Sequence, residues 1–88
     1  LRVSEMAFYQ VTHRLARLIN NLPDEALNGE NNARLTQDQL AARLGSVREV
    51  IARSLRELER NGVIHTENRR IYIDDQEKLE RITEGMWE

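Results

Sequence analysis

Residues 35–62 read LTQDQLAARLGSVREVIARSLRELERNG, and their spacing decides the fold. Thr36 opens a helix: its side chain can cap the first turn while Gln39, three residues on, reaches back, a capping box. Leu40, Ala41 and Leu44 give that helix an apolar face. Gly45 ends it in a left-handed conformation that glycine adopts without steric cost. A second helix is predicted over about 47–61, stopped by Asn61-Gly62. At about 100° per residue, Val47, Ile51, Ser54, Leu55 and Leu58 fall on one face. Glu49, Arg53, Arg56 and Arg60 fall on the opposite face, with Arg48 to one side near the start. A small Ala41 where two helices cross, glycine at the sharp turn and Ile51 as the anchor together describe a helix-turn-helix. Leu40, Leu44 and Leu55 supply its apolar contacts. A plain helical hairpin from a small bundle is the competing reading of these residues.

The flanking sequence favours the first reading. Downstream, Val63-Ile64-His65-Thr66 and Arg69-Arg70-Ile71-Tyr72-Ile73 are β-branched runs joined by Glu67-Asn68, a two-stranded hairpin. Such a hairpin must lie against helices to be stable. Asp74, with Glu77 three residues later, marks another helix start, and Leu79 and Ile82 give it an apolar edge. Upstream, residues 9–22 space Val11, Leu15, Leu18, Ile19 and Leu22 as one stripe of an amphipathic helix, stopped by Pro23 and Asp24. Residues 23–34, polar and holding Gly29 and three Asn, predict a surface loop. The order is helix, loop, helix, helix, hairpin, helix. That is a mainly α chain with a small β-hairpin wing, a winged helix-turn-helix.

Eighty-eight residues give room for one small core, and 40% apolar with 32% charged residues is the balance of a globular domain. There is no cysteine, which excludes a disulfide framework, a thiolate zinc site, an iron–sulfur cluster and a cysteine nucleophile. No apolar stretch approaches a membrane span and the start does not read as a signal peptide, so a cytoplasmic setting without a membrane partner is expected. The formal charge of −2 argues at first sight against a polyanion partner. Its distribution argues otherwise. Residues 1–34 sum to zero, 35–62 to +1 and 63–88 to −3. Twelve of the 13 basic residues are Arg, whose planar fork suits base edges and phosphates; ordinary surface pairing or genome composition would also favour Arg.

In a helix-turn-helix the second helix enters the DNA major groove, and residues near its N-terminus touch base edges. Arg48, Glu49 and Arg53 are placed to do this: Arg can pair with guanine O6 and N7, and Glu can accept from cytosine N4. Glu49 and Arg53, four residues apart, could also form a simple surface ion pair. Arg56 and Arg60 are better placed for phosphates or solvent. Arg69 and Arg70 lie near the hairpin tip, where a wing follows the phosphate backbone; an inert surface pair is the alternative.

The segment from Leu35 to Ile73 resembles the DNA-binding domain of the cyclic-AMP receptor protein and fumarate–nitrate regulator (Crp/Fnr) family. The likeness rests on Leu35-Thr36-Gln37-Asp38-Gln39-Leu40-Ala41, on Gly45-Ser46-Val47-Arg48-Glu49-Val50-Ile51-Ala52-Arg53, on Leu55, Leu58 and Gly62-Val63-Ile64, and on the Ile71-Tyr72-Ile73 strand. Upstream, Ala7-Phe8-Tyr9-Gln10-Val11-Thr12 and Arg14-Leu15-Ala16 are similar to the family's hinge and first helix. The resemblance implies a dimeric bacterial transcription regulator that binds a pseudo-palindromic duplex. Residues 1–8 would then be the end of a dimerisation helix and its hinge, residues 9–88 the winged-helix domain, and the N-terminal sensor would lie outside the chain.

The resemblance further implies that Arg48, Glu49 and Arg53 read G and C bases of a half-site similar to TGTGA. It places Thr36, Gln37 and the backbone amide of Val11 on phosphates, the last at a helix N-terminus. Three departures stand out. Val47 and Val50 replace residues that usually carry hydroxyls, which leaves Ser46 to supply the cap and a phosphate contact, and Gln10 replaces a common Asp. RNA polymerase is a further implied partner, but residues 23–34 differ from the polymerase-touching loop of well-studied members, so no contact residue is assigned.

Other candidates point elsewhere. His13 and His65 stand far apart without a carboxylate cluster, so no metal is expected. Asp74 and Asp75 fit helix capping better than acid–base chemistry. Met86 and Trp87 could pack on the first helix or meet the sensor. No nucleophile–base pair or phosphate-binding glycine loop is present, so no enzyme and no cofactor in this domain is expected, and the sensor's effector stays unassigned. The rival function is a winged helix that docks an acidic protein through Arg48, Arg53, Arg56 and Arg60.

Overall fold

A computed structural model of the chain describes residues 3–85. In order, the elements are α1 (Val3–Asn21), α2 (Asp24–Asn28), α3 (Gln37–Leu44), α4 (Arg48–Arg60), β1 (Ile64–Glu67), β2 (Arg70–Ile73) and α5 (Gln76–Thr83). The mainly α architecture with a hairpin wing is as expected from the sequence. Met86 and Trp87 lie outside the described residues. No helix among the described residues is long and apolar enough to cross a membrane.

The helix-turn-helix forms for the local reasons the sequence supplies. Thr36 Oγ1 accepts from the Gln39 amide at 3.1 Å, and Gln39 Oε1 accepts from the Thr36 amide at 2.8 Å, closing the capping box. Gly45 takes the left-handed conformation at φ 65°. The Ser46 amide then reaches back to the Ala41 carbonyl at 2.9 Å and the Gly45 amide to Ala42 at 3.3 Å, a Schellman closure. The same closure ends α4, where Val63 bonds back to Leu58 at 3.0 Å and Gly62 to Glu59 at 2.9 Å. Asn61-Gly62 therefore stops a helix and does not turn a hairpin.

Leu15, Ile19, Leu40, Ile51, Leu58, Ile64 and Leu79 lie at the centre of one core, each at most 1% exposed. α1 packs across α4 and α5 and more lightly on α3; α3 packs on α4. Two polar side chains are buried with these apolar ones, Thr12 and Ser54. Thr12 Oγ1 donates to the Phe8 carbonyl at 2.8 Å and lies 2.7 Å from Ser54 Oγ. Thr12 has one hydroxyl hydrogen, so Ser54 is the donor in the second bond.

Several expectations need correction. Residues 23–34 are not all loop: Pro23 precedes the short α2, and Leu27 is buried at 2% exposure. One apolar anchor on five residues leaves no periodicity to read. α1 does not begin at residue 9 but runs unbroken from Val3. Val47 is not on the buried face; the Gly45-Ser46 turn leaves it extended (φ −122°, ψ 157°) and 61% exposed, as the N-cap of α4 without a side-chain bond. α5 starts one residue later than expected, because Asp75 accepts from the Lys78 amide at 2.9 Å while Asp74 turns to His65 at 2.7 Å.

The hairpin register is also shifted by one. Glu67 pairs with Arg70 and Ile64 with Ile73, so the loop is Asn68-Arg69 and not Glu67-Asn68. Both loop residues have positive φ, 52° and 65°. That is the geometry of the primed turns that match strand twist, with Arg at a position that favours glycine.

Two outcomes follow for stability. Thr12→Val should cost about 1–3 kcal/mol in urea denaturation, because it strands the buried Ser54 donor. Adding Ser54→Ala should recover part of that loss, and strictly additive losses would show that the hydroxyls are uncoupled. Arg69→Gly should raise stability by about 1 kcal/mol through release of the left-handed arginine. An unchanged or lower midpoint would show that the turn is not strained in solution.

Candidate nucleic-acid interface

The exposed side of α4 carries Arg48, Glu49, Arg53 and Arg56, as its periodicity requires. The side chains of Arg48, Glu49 and Arg56 make no hydrogen bond or ion pair among the described residues. The Glu49–Arg53 ion pair that the spacing permits is not formed. Arg53 instead lays its guanidinium over the Phe8 ring, 4.1 Å from the centroid. Arg60 is occupied differently, 3.3 Å from Glu57. The helix thus keeps charged groups uncommitted on the first two-thirds of its outer face and ties down the last one.

Beside this face a cleft of about 430 Å³ opens between the starts of α3 and α4 and the wing. Thr36 and Gln37 line it from α3, Arg48 from α4, Thr66 and Arg69 from the wing, and Arg34 from the segment before α3. Asp38 adds one acid, and Leu35, Leu40, Leu55 and Ile71 give the cleft an apolar part. Three arginines, two hydroxyl side chains and a helix start line one concavity, an arrangement suited to an anion chain such as a phosphate backbone. Arg34 is anchored on the Gly29 carbonyl and on Asn31 Oδ1, both at 3.0 Å. The sequence reading missed it, though an arginine two residues before a capped helix start is a usable signal.

The predicted site residues do not all meet. Thr36, Gln37, Arg48 and Arg69 share the cleft, whereas Glu49, Arg53 and Arg56 lie along the outer side of α4. Arg70 is half-buried in β2 opposite Glu67, away from the tip that Arg69 occupies. Ser46 does not cap α4; its amide closes the α3 turn and its half-buried hydroxyl stays unused among the described residues.

Val11 departs most from expectation. It lies about two turns inside α1, where amides are consumed by the helix ladder, and its side chain packs against the core. Its amide is therefore not at a helix N-terminus. The histidines are engaged separately: His13 Nε2 donates to the Thr83 carbonyl at 3.0 Å, and His65 stacks on Tyr72 beside Asp74. No cluster suited to a metal occurs among the described residues.

Comparison with known proteins adds identity to this geometry. Residues 13–82 match the family model of the Crp-like helix-turn-helix domain. The chain is similar to the transcriptional regulator SdrP of Thermus thermophilus, with 30% identity over 88 residues, covering 96% of this chain and 44% of that protein. Its fold is similar to that in the crystal structure of the Thermus thermophilus catabolite activator protein, with a TM-score of 0.79 at 23% identity, over 97% of this chain and 39% of that one. A CRP-family transcriptional regulator from the same organism aligns with a TM-score of 0.69 at 29% identity, over 90% and 44% of the two chains. The chain spans less than half the length of each of these relatives. The matched family is one of regulator domains and not of enzymes. With the capped α3, the left-handed Gly45, the outward-facing α4 and the wing all in place, the chain belongs to the family of Crp-like helix-turn-helix domains.

Proposed function

We propose that the chain binds duplex DNA at specific sites, as the reading domain of a dimeric transcription regulator in the cytoplasm. The observation that carries this reading is the outer face of α4, where Arg48, Glu49 and Arg53 stand exposed and unpaired with one another beside a cleft lined by three arginines. In this reading α4 enters the major groove. Arg48 and Arg53 donate to guanines, and Glu49 accepts from a cytosine amino group. Thr36, Gln37, Ser46, Arg56, Arg69 and Arg70 hold phosphates, joined by Arg34. Val11 is left out because its amide is spent inside α1.

Specificity would come from two half-sites read by a homodimer, since one small domain of net charge −2 attracts non-specific DNA weakly. RNA polymerase would be a partner of the assembled regulator. Glu49 favours DNA over an acidic protein partner: a free carboxylate between Arg48 and Arg53 would repel an acidic surface, whereas a cytosine amino group uses it.

Binding should be measured on selected duplexes with the chain held as a dimer. Arg53→Ala should cost about 1–3 kcal/mol on the preferred half-site and relax selectivity at one base pair. Equal loss on every duplex would assign Arg53 to phosphate. Arg69→Ala should weaken all duplexes alike and lower the slope of log K against log salt by about one. Absence of salt-dependent binding to any duplex would overturn the DNA reading.

A further inference from the structure

The contact between Phe8 and Arg53 joins α1 to the face that the proposed function assigns to base reading. Phe8 is 7% exposed, and its ring also meets Tyr9 at 5.3 Å and 58°. Its own carbonyl accepts from Thr12, which is bonded in turn to Ser54, the residue after Arg53. The ring and the helix carrying the guanidinium are therefore fixed to each other one residue away from the contact. Phe8 is a platform held in place, not a side chain free to follow Arg53.

The chemistry of the pair suits presentation of donors. The ring attracts the cation through its quadrupole and has no lone pair to accept a hydrogen bond, so the guanidinium N–H groups are not consumed. No other hydrogen bond or ion pair takes them among the described residues. Glu49 stands four residues earlier on the same helix and could have captured the head group, which would have occupied its donors and cancelled both charges. By drawing Arg53 away, the ring leaves both residues available. It also restrains a side chain whose rotamer freedom would otherwise be lost only when DNA binds.

We propose that Phe8 is a positioning residue for DNA reading, holding the Arg53 guanidinium in place and separate from Glu49 so that its donors meet a base edge. The inference rests on the DNA reading above, and two readouts on the 88-residue chain keep the two apart. The first needs no DNA. The Arg53 δ-protons should resonate upfield of their ordinary position under the Phe8 ring current. They should return to it in Phe8→Leu, with the amide spectrum otherwise preserved. A normal position in the unsubstituted chain would overturn the proposal.

The second readout is affinity for a duplex carrying the preferred half-site at low salt. Phe8→Leu should weaken binding roughly two- to fivefold, the loss expected for one cation–π contact. Phe8→Tyr, which keeps the ring, should restore it. In an Arg53→Ala background Phe8→Leu should change nothing. The same loss in both backgrounds would make Phe8 merely structural and overturn the proposal, as would full affinity in Phe8→Leu. If the unsubstituted chain shows the ring-current shift and binds no duplex, the DNA reading fails first and the positioning role falls with it.

Discussion

A single pair of buried hydroxyls, Thr12 and Ser54, holds the orientation on which the rest of this structure depends. Aliphatic side chains pack acceptably in many registers, because dispersion and burial are not directional. A hydroxyl pair is directional, and sliding or rotating α1 against α4 would leave the buried Ser54 hydroxyl without its partner, at a cost comparable with that of losing a buried aliphatic side chain. Fixing this crossing fixes which side of α4 faces outward. The α3 turn, closed by Gly45 and packed through Ala41, is then added to a helix whose orientation is already set.

The distribution of bases follows from what each has to hold. Lys78 donates to the Asn61 carbonyl at 2.9 Å, neutralising the negative end of α4. Arg60 pairs with Glu57, and Arg34 ties together the turn before α3. These cations serve the fold. Arg48 and Arg56 hold nothing among the described residues, and Arg53 holds only a ring. The small negative total is thus no guide to the surface potential, because seven of the fifteen acids gather in the last quarter of the chain while Arg48, Arg53 and Arg56 stand without an ionic partner among the described residues on the outer face of α4.

Features governed by neighbours in sequence were legible before any coordinates. The Thr36–Gln39 box, the left-handed Gly45, the Asn61-Gly62 stop and the outward Arg48, Glu49 and Arg53 all depend on spacings of three to four residues or on one glycine. What was not legible depends on distant partners. Leu27 makes a helix of α2 only because a core waits for it. Asp74 yields the α5 cap to Asp75 because His65 lies across the hairpin. Val47 left the buried face because turn closure consumed Ser46, and one residue of slip moves a side chain from one face to another. Val11 was misplaced because the reading supposed a helix start that α1 does not have. Phe8 escaped notice as a partner of Arg53 because 45 residues separate them.

α4 lies between two copies of one backbone device: Ser46 onto Ala41 closes α3 just before it, and Val63 onto Leu58 closes its own C-terminus. A helix that starts from a fixed turn and ends in a closed one keeps its length, and so do the intervals marked along it. Arg48 and Arg53 are separated by about 7.5 Å of axial rise, close to two steps of the roughly 3.4 Å base-pair ladder. In the proposed reading the helix acts as a ruler graduated in side chains. Changing the distance it measures would require moving an arginine in the sequence, since bending the scaffold cannot do it.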